Sequence, residues 1–325
     1  MIGLGVGEQH ARAFAAIEAC ELRWLFDFSA DKAAEVRNKL GQGKVAASFE
    51  EILADDDTDI VSIASFDHHH FAEALAAIKA GKHVFVEKPL CRTLAELKAL
   101  KAAWEENSRP HLAANLVLRQ APVYTWLKQA IDEGKLGRLY AFDGDYLYGR
   151  LDKITEGWRR DVADYSVMEG GGIHMIDLML WLSGENPATA ATAANNICTG
   201  DAGLPYDDFM ATTFHFPSGL IGRITANFGC VHRHHHVVRV FGTEGTFIHD
   251  DAGARIHTSR DEKAAAEPVD AEVLPASKGV LISGFVAAIL AGGDPEQAAR
   301  REFDLISVTA AAGRARGSPE EIEYL

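Results

Sequence analysis

The feature that most constrains the fold of this sequence is the alternation of short apolar runs with helical segments over residues 1–115. Helices are predicted at residues 7–20 and 71–80 and after the N-cap residues Ser29, Ser48 and Thr93. The apolar runs have the length and composition of buried strands: ELRWLFDF (21–28), DIVSIAS (59–65), KHVFVEK (82–88) and HLAANLVL (111–118). Such alternation with short connections forms parallel βαβ units, so we predict a doubly wound parallel α/β domain over residues 1–115.

The remaining residues, 116–325, have a different pattern and are predicted to form a second domain. A helix at 122–133 is followed by long alternating runs joined by Pro-Ser-Gly and Gly-Thr-Glu-Gly turns. These runs are LYAFDGDYLYG (139–149), ATTFHFPSG (211–219), LIGRITANFG (220–229) and HHVVRVFGTEGTFIHD (235–250). Neighbouring runs of this kind indicate an antiparallel sheet. The polar segment 259–272 is predicted to be an exposed loop.

The glycine-rich stretch near the start, GLGVGEQH (3–10), has the composition of a dinucleotide-binding turn. Gly3, Gly5 and Gly7 form G-x-G-x-G with Val6 in the loop, one residue shorter than the usual G-x-G-x-x-G. Glycines let backbone N–H groups approach a pyrophosphate, which the N-terminus of the following helix also attracts. Only two residues precede the turn, so two explanations stay open: a very short first strand, or a chain start further upstream.

Asp27 closes the strand predicted at 21–28, 20 residues after Gly7. In a dinucleotide-binding (Rossmann) domain, an acidic residue at this spacing accepts a hydrogen bond from the adenosine ribose 2′-OH. The same carboxylate repels the 2′-phosphate of NADP, so the sequence favours NAD over NADP as the cofactor. A solvated aspartate at a strand end is the alternative interpretation.

The charge balance excludes several classes of partner. The 325 residues include 32 basic and 47 acidic side chains, a net charge of −15, which argues against nucleic acid and against an anionic membrane surface. No apolar run approaches the length of about 18 residues that a membrane span needs, and no secretory signal is predicted. The four cysteines are scattered without a C-x-x-C pair, which is typical of a reducing compartment, so we expect a cytoplasmic protein.

The stretch GKHVFVEKPL (81–90) resembles the signature of the glucose–fructose oxidoreductase / inositol 2-dehydrogenase (Gfo/Idh/MocA) family. Further stretches are similar to the family in the same order: GLGVGEQHA (3–11), VSIASFDHHHFAEAL (61–75), NLVLR (115–119), GKLGRLY (134–140) and GGGIHMIDLMLWLSG (170–184). The resemblance implies a Rossmann domain, a C-terminal α/β domain with an open, mostly antiparallel sheet, and a nicotinamide cofactor. It also implies a homodimer or homotetramer assembled through that sheet, because an uncovered apolar sheet face would be a large exposed patch.

Within the signature, the resemblance implies roles for several residues of the first domain. The lysine that matches Lys88 contacts the substrate hydroxyl and the cofactor ribose, where its ammonium can polarise an oxygen. Glu87 matches a residue near the nicotinamide ribose, and Pro89 is expected to follow a cis peptide bond. The loop beneath the ribose and pyrophosphate is matched by Ser65, Phe66 and His70. The family often has proline at the position of Phe66.

The histidine that matches His174 lies in the family's substrate pocket as the acid–base catalyst. Loss of a hydride from an alcohol carbon needs a base for the hydroxyl proton, and imidazole titrates in the required range. Asp177 lies three positions along the same helix, where three roles stay open: orienting His174, binding a substrate hydroxyl, or interacting with the positive helix end. Many polyol-oxidising members carry aspartate four residues before this histidine. This chain has Gly170 there, so Glu169 or a charge on the substrate would have to replace it.

Other polar and aromatic side chains are predicted to contact the substrate, although ordinary packing explains them about as well. These candidates are Asn115 and Arg119 near the predicted domain boundary, and Tyr148, Arg150, Trp158 and Arg159 within residues 144–161. The alternating histidines His232, His234 and His236 suggest a metal site, but a strand alone rarely supplies convergent ligands and a second shell. We therefore predict no metal and expect His232 or His236 to line the substrate pocket.

Together these features predict an enzyme, a dehydrogenase that transfers a hydride between NAD and a secondary alcohol of a small sugar, polyol or sugar acid. Two alternatives stay open. Some relatives use bound NAD for redox-assisted glycoside cleavage, and some related folds are non-catalytic NAD-binding sensors. Kinship at the level of the fold does not decide between these functions, because function depends on the site.

Overall fold

The computed structural model describes residues 1–162 and 164–325. Within these residues the chain divides into two compact units, each continued by a segment from later in the chain. The ranges are Met1–Val117, Pro275–Ile306 and Leu325 for the first unit, and Leu118–Leu274 and Ser307–Tyr324 for the second. The sequence places every residue after 115 in the second domain, so the return of 275–306 to the first unit is a finding of the structure.

The first unit consists of parallel strands connected by helices. Its strands are β1 (Trp24–Leu25), β2 (Lys44–Val45), β3 (Ile60–Ile63), β4 (His83–Val86) and β5 (Leu112–Ala114). Its helices before residue 117 are α1 (Gly7–Ala15), α2 (Ala30–Leu40), α3 (Phe49–Leu53), α4 (His70–Lys79) and α5 (Leu94–Glu106). β1 pairs with β2, and β3, β4 and β5 form a sheet in that order, with every pair parallel. The parallel arrangement predicted from the alternating pattern is confirmed.

Ile2 joins the two groups of strands. It forms parallel bridges with Phe26, just beyond β1, and with Ile63 at the end of β3. Its N–H donates to the Ser62 carbonyl at 2.8 Å. The start of the chain therefore occupies the central strand position, although this bridge is much shorter than an ordinary strand. Leu4, which follows in the turn, is buried in the core.

The predicted helix starts agree with the structure, whereas one predicted helix is shorter than expected. The side chains that cap helices are those of Ser29, Ser48 and Thr93. The last of these forms a complete capping box with Glu96. The helix predicted at 7–20 ends at Ala15. Beyond it the Ile17 N–H bonds to the Phe14 carbonyl, three residues back, at 3.1 Å, which tightens the chain into turns.

The second unit is built around one large, mostly antiparallel sheet, as predicted. Its strands are β6 (Leu139–Leu147), β7 (Thr189–Asn195), β8 (Phe209–His215), β9 (Ile221–Asn227), β10 (His235–Gly242), β11 (Thr246–Asp250), β12 (Gly253–His257), β13 (Glu267–Pro268) and β14 (Glu320–Glu321). Their order is β13-β12-β11-β10-β6-β9-β8-β7-β14, and within this sheet, as far as the structure describes it, β6 with β9 is the one parallel strand pair. β13 lies within the predicted loop 259–272, where two residues pair with β12.

Among the described residues, three α-helices lie wholly within the second unit: α6 (Pro122–Asp132), α7 (Asp152–Thr155) and α8 (Ile173–Ser183). A π-helix, Met168–Gly172, leads directly into α8, which packs on β6 and β9. Glycine on the sheet allows this close approach, because an added Cβ at Gly144 would lie 3.0 Å from the Met175 Cβ. The first turn of α8, which carries His174, is thereby held against the sheet.

The sheet face opposite α8 carries alternating charges. In the strand register Asp143 on β6 lies between Arg239 on β10 and Arg223 on β9. Arg223 donates to Asp143 at 2.9 Å, and Arg239 donates to Asp145 at 3.4 Å. We call these four residues the charged ladder. It gives the face a polar centre, where the resemblance led us to expect apolar side chains.

The segment 275–306 completes the core of the first unit. It contains α9 (Ile282–Leu290) and the first part of α10 (Glu296–Arg314). Ile282 and Phe285 on α9 are buried with Phe14 on α1 and Phe85 on β4, and the two β4 and α9 phenylalanine rings lie 5.4 Å apart. No helix in residues 1–162 and 164–325 has the length and apolar character needed to cross a membrane.

Candidate functional site

Two of the three glycines in the glycine-rich turn leave little or no room for a side chain. Gly3 has a φ of 73°, and an added Cβ would lie 2.5 Å from the Ala64 carbonyl oxygen. At Gly7, the first residue of α1, an added Cβ would lie 3.1 Å from the Ala64 Cβ. Gly5 and Val6 are exposed, and no atom lies within 4 Å of a Cβ at Gly5. This open surface at a helix N-terminus fits the close approach of a pyrophosphate.

Asp27 is held rigidly beside this turn. Its Oδ2 accepts the Leu4 N–H at 2.7 Å, and its Oδ1 accepts the Ser29 N–H at 2.9 Å. Each carboxylate oxygen has a second lone pair, which can accept a hydrogen bond from a ribose hydroxyl. The ammonium of Lys32, in the first turn of α2, is engaged by Glu8 and Glu35, at 3.6 and 3.5 Å. The surroundings of Asp27 therefore fit an unphosphorylated ribose.

The loop after β3 is tied to the Lys88–Pro89 segment by His70. The ring of His70 is fully buried, with Nδ1 2.7 Å from the Pro89 carbonyl oxygen and Nε2 3.2 Å from the Ser65 carbonyl oxygen. The Ser65 hydroxyl donates to Glu73 at 2.5 Å. Burial raises the pKa of Glu73, and the Ser65 bond acts in the opposite direction. Phe66 is exposed, so it lies at the surface of the loop whereas His70 holds the loop from inside.

Glu87 belongs to a buried network that the sequence did not reveal. Asn115 donates through Nδ2 to Glu87 Oε1 at 2.7 Å and to the Lys278 carbonyl at 2.7 Å, and His10 Nε2 lies 3.2 Å from the same Glu87 oxygen. Burial alone would raise the pKa of Glu87, but these hydrogen bonds and the charge of Lys88 lower it to about 2. Glu87 is therefore a carboxylate at neutral pH. The Asn115 Oδ1 is buried without a hydrogen-bond partner among the described residues, and a ligand donor could satisfy it.

The candidate residues of the first unit share one position in the fold. Each follows the carboxyl end of a parallel strand: Asp27 after β1, Ser65 after β3, Lys88 after β4 and Asn115 after β5. Ligands of open parallel sheets bind at this edge. Lys88 is partly buried there, and its bond to Pro89 is cis, as predicted. The residues present in this unit thus fit a dinucleotide.

In the second unit His174 lies among aromatic and histidine rings. It is 7% exposed, and its ring is stacked on Tyr146 with centroids 6.0 Å apart at an interplanar angle of 19°. The ring of His236 lies 6.4 Å from His174 and 5.3 Å from Tyr146. His234 and Tyr148 extend this group, with rings 5.1 and 5.9 Å from Tyr146. We call these five residues the ring cluster, and its aromatic faces can stack on a sugar.

Asp177, one turn further along α8, is engaged by Arg119. The Arg119 Nε lies 3.0 Å from both Asp177 oxygens, and a second guanidinium nitrogen also donates to Oδ1. Burial raises the pKa of Asp177, while the Arg119 charge lowers it. The sequence left three roles open for Asp177, and an ion pair with Arg119 is not one of them. The pair anchors the helix that carries His174.

The space beside Gly170 is filled by a tyrosine that the sequence analysis did not single out. An added Cβ at Gly170 would collide with the Tyr165 hydroxyl and would lie 2.7 Å from its Cζ. The Arg159 Nε donates to this hydroxyl at 2.8 Å. Glu169, predicted as a substitute for the missing carboxylate, instead has Oε1 4.0 Å from a Cβ position at Gly313 on α10. The one available signal was the run of three glycines, which allows other side chains to approach.

The remaining substrate candidates fall into two groups. The guanidinium of Arg159 lies over the Trp158 ring at 4.4 Å, and that of Arg150 lies over the Tyr148 ring at 5.5 Å, so these four are arranged as aromatic–cation pairs. His232 is not part of the ring cluster. Its Nε2 lies 3.0 Å from Asp251. A backbone hydrogen bond at Arg233 and the Asp251 bond raise the pKa of His232. In residues 1–162 and 164–325, no group of three or more His, Cys, Asp or Glu side chains could hold a metal ion.

Two family models match consecutive parts of the chain. Residues 1–114 match the model described as the oxidoreductase family, NAD-binding Rossmann fold (GFO_IDH_MocA). Residues 124–248 match the model described as the GFO/IDH/MocA C-terminal domain. Together the two matches cover most of the chain, and both belong to the same family.

Curated proteins and solved structures with similar sequences or folds include sugar oxidoreductases. Levoglucosan dehydrogenase of Pseudarthrobacter phenanthrenivorans is 28% identical over 281 residues, covering 76% of this chain and 72% of the relative. The 1,5-anhydro-D-fructose reductase of Ensifer adhaerens is 32% identical over 225 residues, covering 68% and 65%. A solved levoglucosan dehydrogenase in complex with NADH and levoglucosan has a TM-score of 0.82 at 23% identity, covering 99% and 98% of the two chains. The last similarity shows the shared fold.

Proposed function

Since the chain belongs to the GFO/IDH/MocA oxidoreductase family and its first 114 residues form that family's NAD-binding Rossmann domain, we propose that it is a dehydrogenase of sugars, polyols or sugar acids. It would transfer a hydride between NAD and a secondary alcohol of the substrate. NAD, when bound, supplies the nicotinamide ring that exchanges the hydride. The observation that carries the proposal is His174, a largely buried imidazole among rings that can hold a sugar.

His174 is the acid–base catalyst in this proposal. When the alcohol carbon loses its hydride, the hydroxyl proton must leave as well, and the imidazole accepts it; in the reverse direction the imidazolium returns it. The Arg119–Asp177 pair acts one turn away as an anchor for this part of α8. Stacking on Tyr146 limits the orientations that the His174 ring can adopt.

Lys88 is assigned the second catalytic role. Its ammonium polarises the reacting oxygen, which eases loss of the hydroxyl proton or, in the reverse direction, attack on the carbonyl. The Glu87 carboxylate, held by Asn115 and His10, is assigned to the nicotinamide ribose. Gly3, Gly5, Val6 and Gly7 are assigned to the pyrophosphate, with Ser65 and Phe66 below it.

The preference for NAD over NADP rests on Asp27. Its carboxylate is fixed by two backbone N–H groups and cannot move aside without breaking both bonds. A 2′-phosphate would meet this negative charge, and Lys32, the cation in the first turn of α2, is engaged by two glutamates. The proposed class of substrate, a small sugar or a related alcohol, is based on the relatives named for levoglucosan and 1,5-anhydro-D-fructose.

The test follows absorbance of the reduced nicotinamide with NAD or NADP and a panel of levoglucosan, myo-inositol, D-glucose and D-gluconate. We expect one or more panel members to reduce NAD and expect His174→Ala to lower kcat by about 10²–10⁴-fold without weakening NAD binding. His215→Ala, at the exposed end of β8, is the control and retains activity. Equal turnover by the His174 variant and wild type would contradict the assigned role.

The two alternative functions give different results in the same assay. Release of a chromogenic aglycone without net change in NAD would support redox-assisted glycoside cleavage. Tight NAD binding without turnover of any substrate, together with capture of a protein partner, would support a sensor. Reduction of NADP in place of NAD would support the dehydrogenase function but contradict the role assigned to Asp27.

A further inference from the structure

The Tyr165 hydroxyl occupies a position from which it can act together with His174. It fills the space where a side chain at Gly170 would begin. Gly170 lies four residues before His174 in a continuous helical segment formed by Met168–Gly172 and α8. Residues with this spacing lie on one helix face, with Cβ atoms about 5–6 Å apart. The phenol therefore lies beside the helix face that carries the imidazole.

The Tyr165 hydroxyl is arranged as a donor directed by a guanidinium. It accepts a hydrogen bond from Arg159 Nε at 2.8 Å, and Arg159 is itself held over the Trp158 ring at 4.4 Å. A phenol that accepts from a cation still carries its own proton and can donate it to another oxygen. A carboxylate in the same place could only accept. The group beside His174 thus stabilises negative charge on an oxygen, and the adjacent guanidinium strengthens that effect.

Three polar side chains of the same unit have other contacts among the described residues. Asp177 is engaged by Arg119, and Glu169 points towards Gly313 on α10. Tyr206, whose ring lies edge-on to Tyr165 at 5.2 Å, donates to the backbone carbonyls of Ile154 and Arg159 at 3.3 and 3.2 Å. The Tyr206 hydroxyl therefore bonds to backbone carbonyls. The Tyr165 hydroxyl lies where the missing side chain of position 170 would point.

We propose that Tyr165 is a catalytic residue that donates a hydrogen bond to the reacting oxygen of the substrate, and that Arg159 is the positioning residue that directs it. This inference rests on the proposed function. On oxidation the alcohol carbon releases a hydride to the cofactor, the hydroxyl proton passes to His174, and the C–O single bond becomes a carbonyl. The Tyr165 proton stays on the phenol throughout. Its hydrogen bond strengthens as negative charge develops on the oxygen.

The first measurement compares kcat/KM of wild type, Tyr165→Phe and Tyr206→Phe with NAD and the best substrate of the panel. Removing one such donor lowers the rate by about 10²-fold in comparable sites, and we expect this loss in Tyr165→Phe. Tyr206→Phe removes a phenol hydroxyl from the same aromatic group and is expected to remain close to wild type. NAD affinity is expected to be equal in all three proteins.

The second measurement reads ligand contact without chemistry. Each panel compound is titrated calorimetrically into protein saturated with NADH, where an alcohol has no hydride acceptor. We expect Tyr165→Phe to weaken the Kd of a bound alcohol by up to about tenfold, the effect of one hydrogen bond. If Tyr165→Phe does not fold, Arg159→Met and Arg159→Lys replace it. The first is expected to lower kcat more than it raises KM, and the second, which keeps a donor, is expected to recover part of the loss.

The outcomes separate this inference from the proposed function. Turnover by Tyr165→Phe equal to wild type would overturn the inference and leave the dehydrogenase intact. Equal losses in Tyr165→Phe and Tyr206→Phe would also overturn it, because packing would explain both. If wild type binds a panel compound through Tyr165 but does not turn it over, the result would support the hydroxyl contact and contradict the dehydrogenase function. A wild-type protein that neither turns over nor binds any panel compound would contradict both.

Discussion

Asp27 is the residue that we propose sets the preference for NAD over NADP. Its two oxygens accept the N–H groups of Leu4 and Ser29, which hold the carboxylate beside the glycine-rich turn. Asp27→Asn keeps the size of the side chain and one acceptor oxygen but removes the charge. We expect NADPH affinity to rise by about tenfold or more, because juxtaposed like charges cost several kcal/mol. Fluorescence titration with NADH and NADPH measures both constants.

The control for this substitution is Asp31→Asn, an exposed acid in the first turn of α2. It removes the same formal charge from the same region without touching the turn, so its ratio of NADH to NADPH affinity is expected to match wild type. If both variants shift the ratio equally, the effect is one of overall charge and Asp27 has no specific role.

We predict that Glu87 makes the stability of the folded protein depend on pH, with stability lost on acidification. Its pKa in the folded protein is about 2, against an ordinary value of 4.5, so the folded state favours the ionised form. The stabilisation is present above about pH 4.5 and is lost as the pH falls towards 2. Over that interval the lowered pKa corresponds to about 3 kcal/mol.

Glu87→Gln removes this titration while keeping an acceptor for Asn115. Urea unfolding between pH 7 and pH 3 is expected to show a shallower loss of unfolding free energy on acidification than in wild type. Glu106→Gln, at the exposed end of α5, serves as the control and is expected to follow wild type. Parallel curves for wild type and Glu87→Gln would contradict the network described for Glu87, Asn115 and His10.

Individual site residues could be predicted from the sequence only where local patterns specify them. The spacing from Gly7 to Asp27 and the cis bond before Pro89 belong to short motifs. The contact between His10 and Glu87 joins residues 77 positions apart, and Tyr165 meets Gly170 across the start of the π-helix. Neither contact has a periodic signal, because side-chain packing between elements depends on geometry that no local pattern encodes.

At the level of elements, the capping residues predicted helix starts well, whereas strand lengths were harder to predict. Caps depend on hydrogen bonds within four residues, so the side chains involved are adjacent in sequence. The run 21–28 yields only two strand residues in β1, because strand pairing is decided by a distant partner. The sheet of the second unit was predicted as mostly antiparallel, but the parallel pairing of β6 with β9 brings together runs separated by about 80 residues.

Because Tyr165 fills the space beside Gly170 in the π-helix before α8, we predict that substitutions at these two positions have strongly non-additive effects on the free energy of unfolding. Gly170→Ala places a methyl group against the Tyr165 hydroxyl and is expected to lower the unfolding free energy by about 1–3 kcal/mol. In a Tyr165→Ala background the same change meets open space and becomes nearly neutral. A double-mutant cycle from urea unfolding at constant pH measures the difference.

Gly284→Ala in α9 is the matched control for helix propensity. No atom lies within 4 Å of a Cβ at Gly284, so the added methyl is expected to stabilise by about 0.5–1 kcal/mol. If Gly170→Ala is equally stabilising, Tyr165 does not occupy the space beside position 170, and its hydroxyl does not lie next to His174.

On the scale of the whole molecule, the return of 275–306 to the first unit could not be read from sequence. The apolar stripe of α9, which includes Ile282 and Phe285, is visible as a helical pattern. The pattern shows which face is buried but not which element covers it. Its partners, Phe14 and Phe85, lie about 200 or more positions earlier, so only the folded chain identifies them.

The expected assembly into a homodimer or homotetramer can be tested on the charged ladder of the large sheet. Alternating Asp143, Asp145, Arg223 and Arg239 make a surface that can complement a second copy of itself across a two-fold axis. Asp143→Lys places three like charges together in the register, so we expect it to lower the molar mass measured by light scattering after size-exclusion chromatography. Exposed ion pairs contribute only about 0–1 kcal/mol to folding, so the unfolding midpoint should change little.

The charge swap Asp143→Lys with Arg223→Asp separates assembly from folding. The swap restores the ion pair between positions 143 and 223 within the sheet. The charges at these two positions of the charged ladder stay reversed on the surface that would contact a second copy. We therefore expect the swap to recover any lost stability while the molar mass stays low. Recovery of the oligomer by the swap would show that the pair matters within one chain, and a wild-type protein that runs as a monomer would contradict the assembly itself. An unchanged oligomer in Asp143→Lys would place the interface on another surface, because three adjacent like charges oppose close contact there.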